Sequence, residues 1–149
     1  MKKIKIAQFG LGPIGIETLK LAATKPWVEI VGGIDIDPAK IGRPLAEVTG
    51  DQNLRGASVY RSLEELVAKH KPDVIFHTAV SKVSAAYAQI EPMVRQGISV
   101  VSSCEELLYP ALREPKLAAQ LDAACKAGGA HVMGTGVNPG FVMDVLPVC

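Results

Sequence analysis

At 149 residues, 48% of them hydrophobic and 5% aromatic, the chain has the length of one domain, residues 1–149, with a core built from Ile, Val, Leu and Ala. That composition points to the α/β class, a parallel sheet covered on both faces, and away from an aromatic-rich sandwich. Sixteen basic residues against fifteen acidic leave a charge of +1, with no basic run suited to a phosphate backbone, so no nucleic-acid partner is expected. No apolar stretch is long enough to span a bilayer, and no membrane partner is expected. The basic start Met1-Lys2-Lys3 is followed by apolar residues interrupted by Lys5 and Gln8, which reads as a first strand of a cytoplasmic protein rather than a signal peptide. Cys104, Cys125 and Cys149 lack metal spacing and an even count, so reduced thiols are expected.

Taken in order, apolar runs predict strands near 3–9, 28–35, 57–60, 73–77, 98–102 and 130–134. Helical patterns fall near 13–25, 62–70, 82–96 and 114–127, with shorter ones near 43–48, 104–108 and 141–147. Helical crossovers between successive strands dictate parallel pairing with right-handed connections. The expected architecture is a Rossmann-type doubly wound parallel sheet in three layers, α/β/α. The segment 49–56 is the one polar, turn-rich stretch.

Between the first strand and first helix lies Gly10-Leu11-Gly12-Pro13-Ile14-Gly15, a G-x-G-x-x-G motif in the context that a dinucleotide site requires. Gly10 permits a tight turn, Gly12 lets a pyrophosphate approach the backbone, and Gly15 lets the helix pack close to the strand. Pro13 suits the first helical turn, and the N–H groups there favour an anion. Twenty positions beyond Gly15 the second strand ends on Asp35, placed to accept the hydroxyls of a ribose and to oppose a 2'-phosphate. NAD is therefore the expected cofactor. NADP stays open, because Lys40 and Arg43 follow closely, although both fit a solvated turn that caps a short helix.

Ligands of an open parallel sheet lie beyond the carboxyl ends of its strands, which draws attention to two further segments. The first is His77-Thr78-Ala79-Val80-Ser81, whose small and hydroxyl residues would let a nicotinamide ribose lie against the backbone. His77 is expected to satisfy a local hydrogen bond, and Lys82 to be solvated. The second is Ser102-Ser103-Cys104-Glu105-Glu106, which delivers adjacent carboxylates. Ser103-x-x-Glu106 and Ser102-x-x-Glu105 are both capping-box frames, and both glutamates cannot cap one helix. The remaining carboxylate would serve as an anchor for a cation or as a proton acceptor. Cys104 is expected to be a small buried hydrophobe.

The glycine loop, the Gly-Ile-Asp-Ile-Asp-Pro turn, Ser-Cys-Glu-Glu and Gly134-Thr135-Gly136-Val137-Asn138-Pro139-Gly140-Phe141 together resemble the family of 2,4-diaminopentanoate dehydrogenases and native amine dehydrogenases, with dihydrodipicolinate reductase more distant. The resemblance covers essentially the whole chain. It implies an oxidoreductase that takes hydride from an amine-bearing carbon onto NAD or NADP, after which the imine is hydrolysed to a ketone and ammonia. It further implies that Gly10, Gly12, Pro13, Ile14 and Gly15 cradle the pyrophosphate, that Asp35 meets the adenosine ribose, and that Thr78 and Asn138 lie near the nicotinamide. Glu105 matches the glutamate beside the reacting nitrogen, and a small-molecule amine is the expected partner. Members of that family are about twice this length, and the apolar end from Phe141 to Cys149 stops without a polar cap. The chain is thus expected to be truncated relative to a two-domain enzyme, inactive when isolated, and homodimeric when full length. A dihydrodipicolinate reductase-like imine reductase and a non-catalytic NAD(P)-binding regulatory module are the competing readings.

Overall fold

A computed structural model describes residues 2–138 and 140–149, and places the chain in two compact units, Met1–Thr78 and Ala79–Cys149. In the first unit β1 (Ile4–Phe9), β2 (Val28–Ile34), β3 (Val59–Tyr60) and β4 (Val74–His77) are parallel and ordered β3-β2-β1-β4. The order reverses between β1 and β4, which is where a doubly wound sheet opens a crevice at its carboxyl edge. α1 (Pro13–Ala23) connects β1 to β2, α2 (Leu45–Thr49) follows β2, and α3 (Leu63–Val67) precedes β4. The parallel α/β class expected from the sequence is therefore present.

Both faces of this sheet are covered, as two adjacent glycines of β2 make plain. Successive strand residues point to opposite faces. A Cβ on Gly32 would meet Leu66 of α3 at 2.6 Å and Tyr60 at 2.8 Å, while a Cβ on Gly33 would meet Leu11 and Leu45, each at 3.1 Å. The pairing of β1 with β2 shifts register between Ile6 and Ala7, which leaves Val31 as the extra residue just before that glycine pair. Leu11, Leu19, Leu45, Leu54, Ala57 and Val59 form the buried cluster under α1 and α2. Leu11 is the middle residue of the first Gly-x-Gly, so the glycine loop is itself rooted in the core.

The expected strand at 57–60 shortens to Val59–Tyr60; Ala57 accepts the Leu45 N–H at 2.8 Å in an antiparallel bridge around Ser58 and Pro44, while the Ser58 carbonyl still accepts from Gly33 at 3.0 Å. The polar stretch 49–56 holds one 3-10 turn, Gln52–Leu54, started by the Asp51 carboxylate, which accepts the Asn53 N–H at 2.9 Å.

In the second unit β5 (Ser99–Ser102) and β6 (Val132–Gly134) pair in parallel, with α4 (Val83–Arg95) before β5 and α5 (Pro115–Gly128) between the strands. Short 3-10 turns occupy Glu105–Leu108 and Pro110–Leu112, and the expected terminal helix divides into a π turn, Phe141–Val145, and a 3-10 turn, Leu146–Val148. Helices α4 and α5 approach so closely that a Cβ on Gly128 would stand 1.8 Å from the Val94 carbonyl oxygen. Gly128→Ala should therefore destabilise the protein by about 3 kcal/mol in urea unfolding. Gly129→Ala meets open space but a φ of 65°, and should cost only about 1 kcal/mol. Equal losses would show that helix contact is not what selects glycine at 128.

Candidate functional site

The carboxyl end of β1 runs into the glycine loop, and each loop glycine has a distinct reason to be there. Gly10 has a φ of 90°, a conformation in which a side chain is strained. A Cβ on Gly15 would stand 2.0 Å from the Gly10 carbonyl oxygen, so α1 can pack onto the loop only through a glycine. Gly12 differs from both. Its backbone, φ −73° and ψ −177°, suits any residue, and a Cβ there would meet nothing within 4 Å. Nothing in the fold calls for glycine at this position, whereas a ligand approaching the backbone does.

Pro13 opens α1, and no side chain among the described residues caps that helix. The first intrahelical bond is Ile16 N–H to the Gly12 carbonyl at 3.0 Å, which leaves the N–H groups of Ile14 and Gly15 without an intrahelical acceptor. Ile14 is exposed on the same turn. A helix start with open donors beside an open glycine is suited to an anion such as pyrophosphate.

Asp35, at the end of β2, is engaged more heavily than the sequence indicated. One carboxylate oxygen accepts the Leu11 N–H at 2.7 Å and lies 3.4 Å from the Lys40 ammonium, and the other accepts the Asp37 N–H at 2.8 Å. Burial works against the charged form, but the Asp37 and Leu11 N–H donors and the Lys40 charge outweigh it, holding the carboxyl below its ordinary value. Lys40, read from the sequence as part of a turn, lies in one and also donates to the Leu11 carbonyl at 3.1 Å and stands 3.5 Å from Asp37. Arg43 remains exposed and pairs with Glu47 at 3.3 Å, in keeping with the expected turn.

Thr78 follows β4. Its hydroxyl donates to the Gly10 carbonyl at 3.1 Å and accepts from the Gln8 side-chain amide at 2.8 Å, which also donates to Gly10 at 3.1 Å. Gln8 and Leu11 are the contributors that sequence reasoning missed, and Lys40 it considered only as a turn residue or a cation near a 2'-phosphate. The available signal was a polar amide at position 8, amid the apolar Ile6, Ala7 and Phe9 of β1. His77 is buried and stacks on Phe9, with ring centroids 5.4 Å apart.

In the second unit the two glutamates separate. Glu106 accepts the Val83 N–H at 2.9 Å and so caps α4, a helix distant in sequence, rather than completing either capping-box frame. Ser102 accepts the Cys104 N–H at 3.1 Å and turns the chain after β5. Glu105 stays exposed at the start of the 3-10 turn, whose backbone packs so tightly on β6 that a Cβ on Gly134 would meet Leu107 at 2.7 Å. Asn138 is exposed in the turn closed by the bridge between Gly136 and Gly140, while Pro139 lies outside the described residues. Lys82 is exposed as expected. Cys104 is buried, and burial pushes its thiol pKa up, as expected of a small hydrophobe rather than a nucleophile. All three cysteines are free, and no metal-binding cluster occurs among the described residues. No helix among them is long and apolar enough to cross a membrane.

No protein-family model matches the chain. It is 31% identical over 148 residues to 2,4-diaminopentanoate dehydrogenase of Acetoanaerobium sticklandii, covering 99% of this chain and 42% of that protein. It is 30% identical over 153 residues to an amine dehydrogenase of Streptomyces virginiae, covering 97% of this chain and 41% of the relative. Among solved structures, the amine dehydrogenase from Mycobacterium smegmatis matches with a TM-score of 0.82 and 31% identity, over 89% of this chain and 39% of that one. The chain is similar to amine dehydrogenases. The resemblance read from its motifs is thus borne out across nearly its whole length, and so is the Rossmann-like α/β fold. The chain spans less than half the length of these relatives.

Two stability measurements separate the roles of these carboxylates. Since Asp35 titrates in the folded protein below its ordinary value of 3.8, its stabilisation is complete above that pH and is lost as pH falls through the folded value. Asp35→Asn should therefore lower stability at neutral pH and flatten the acid limb of the urea midpoint against pH, and an unchanged acid limb would count against the Leu11 and Lys40 contacts. Glu106→Ala should cost about 1 kcal/mol as a lost cap. Glu105→Ala should stay within about 0.5 kcal/mol of the parent.

Proposed function

We propose that this chain binds NAD and forms the dinucleotide-binding part of an oxidoreductase acting on CH-NH2 donors, an amine dehydrogenase that converts an amine or diamine such as 2,4-diaminopentanoate to ketone and ammonia. The observation that carries the reading is Gly12, a glycine that the fold does not need, beside an uncapped helix start at the carboxyl end of β1. Similarity to amine dehydrogenases over 99% and 97% of the chain supports the choice of reaction.

In this reading Gly10, Gly12, Pro13, Ile14 and Gly15 hold the pyrophosphate, through the loop backbone and the first turn of α1. Asp35 takes the adenosine ribose, since a carboxylate offers about four acceptor positions and its protein partners leave room on the oxygen facing Asp37. NAD is favoured over NADP because Lys40 is already matched by two carboxylates, Asp35 and Asp37, and the cluster keeps a negative excess that opposes a 2'-phosphate. Thr78 and Asn138 serve the nicotinamide end. When bound, the nicotinamide supplies a hydride acceptor.

Glu105 is the proposed proton acceptor. An ammonium cannot release hydride from its carbon until a proton has gone, so a carboxylate that binds the cation and takes that proton is required. It can then orient the water that attacks the imine carbon. Glu106 is committed to α4, which leaves Glu105 as the available member of the pair.

Titration with NADH and NADPH, followed by nicotinamide fluorescence, should show NADH binding at least about tenfold tighter, equal to about 1.4 kcal/mol. Gly12→Val should abolish NADH binding while leaving the unfolding midpoint near that of the parent. In an amine-oxidation assay of the intact oxidoreductase that contains this chain, with a panel led by 2,4-diaminopentanoate, Glu105→Gln should lower kcat by about a hundredfold or more and leave NADH affinity within about twofold. Failure of the parent protein to bind NADH would sink the reading. Binding without turnover of any amine by the intact protein would leave the imine reductase or a regulatory module.

A further inference from the structure

We infer that Gln8 and Thr78 are positioning residues of the dinucleotide loop, which clamp the Gly10 carbonyl beneath it and so set the Gly10–Leu11 peptide before a ligand arrives. The inference rests on the proposed use of this loop for a pyrophosphate. A peptide that follows a glycine at a φ of 90° rotates with little steric hindrance, and one orientation would turn a carbonyl dipole toward an incoming anion. Two donors oppose that rotation: the Gln8 side-chain N–H and the Thr78 hydroxyl each reach the Gly10 oxygen at 3.1 Å. The far side of the same peptide is held as well, by Asp35 on the Leu11 N–H at 2.7 Å.

Gln8 shows which chemistry is being retained. Its side chain is fully buried, and its Oε1 finds no hydrogen-bond partner among the described residues. The amide cannot be reversed to cure this, because Nε2 faces the carbonyl oxygens of Gly10 and Phe9, which only accept. A buried amide with an orphaned acceptor is kept for its donors, and those donors end at the Gly10 carbonyl and at the Thr78 hydroxyl that holds the same carbonyl.

The test uses two readouts on the ligand-free and NADH-bound protein. Hydrogen exchange of the Leu11 amide, followed by NMR, reports the clamp without any ligand, and NADH affinity reports its use. Thr78→Val and Gln8→Met should each speed Leu11 exchange and weaken NADH binding by about three- to tenfold, the scale of one lost net hydrogen bond. Thr78→Ser, which restores the hydroxyl alone, should recover both values. Should Thr78→Val fail to fold, Gln8→Met decides, since it removes the orphaned acceptor together with the donors. Parent-like exchange and affinity in the variants overturn the positioning role alone, as does a Thr78→Ser protein that behaves like Thr78→Val. If the parent protein does not bind NADH, the proposed function falls and the positioning role falls with it.

Discussion

The peptide between Gly10 and Leu11 is the point on which the first unit turns. Its carbonyl accepts from Gln8 and Thr78, its N–H donates to Asp35, and the next carbonyl accepts from Lys40. These four side chains come from β1, from the residue after β2, from the residue after β4, and from the turn beyond β2. The Leu11 side chain adds a fifth restraint by filling the cluster under α1 and α2. A loop that must present N–H groups to an anion gains little if it has to be ordered at the moment of binding, because ordering costs about 1–2 kcal/mol for each residue fixed. Here that cost is met during folding, by the same contacts that close the carboxyl edge of the sheet.

Under the proposed function, that arrangement would give Asp35 two tasks at once. A ribose acceptor needs a charged, partly accessible carboxylate, and a loop anchor needs one that is well supplied with donors. Two backbone N–H groups and the Lys40 ammonium satisfy the second need and, by favouring the charged form, serve the first. Lys40 in turn has no surplus charge to offer a phosphate. On that reading, cofactor choice and loop geometry are coupled through one ion cluster, and a substitution aimed at either will disturb the other.

Much of this was legible in the chain. Strand and helix order followed from apolar periodicity, and the glycine loop and the position of Asp35 at the end of β2 followed from local context, because each depends on residues a few positions away. The parts that escaped are long-range. Glu106 looked like a local capping partner, yet it caps α4 through Val83, 23 residues earlier, a pairing that no window of sequence displays. Lys40 looked like a solvated turn residue because its acceptor, Leu11, stands 29 positions away. Gln8 was visible only as an interruption of an apolar strand, and its meaning depends on Thr78, 70 positions on. Element ends slipped for a similar reason. Ala57 and Val59, on either side of Ser58, bond to Leu45 and Arg43 in an antiparallel bridge, and β3 is left with Val59–Tyr60.

The orphaned oxygen of Gln8 ties stability to function most directly. A buried acceptor without a partner costs about 1–3 kcal/mol, and an aliphatic side chain in the same strand position would avoid that cost entirely. A chain selected for stability alone would therefore be expected to carry Met or Leu at position 8, as it carries Ile6 and Ala7 just before it. Retaining an amide makes sense only if the two donors are needed where they point. They point at the Gly10 carbonyl and at the Thr78 hydroxyl that holds it, so the local loss of stability and the geometry of the loop are two sides of one choice.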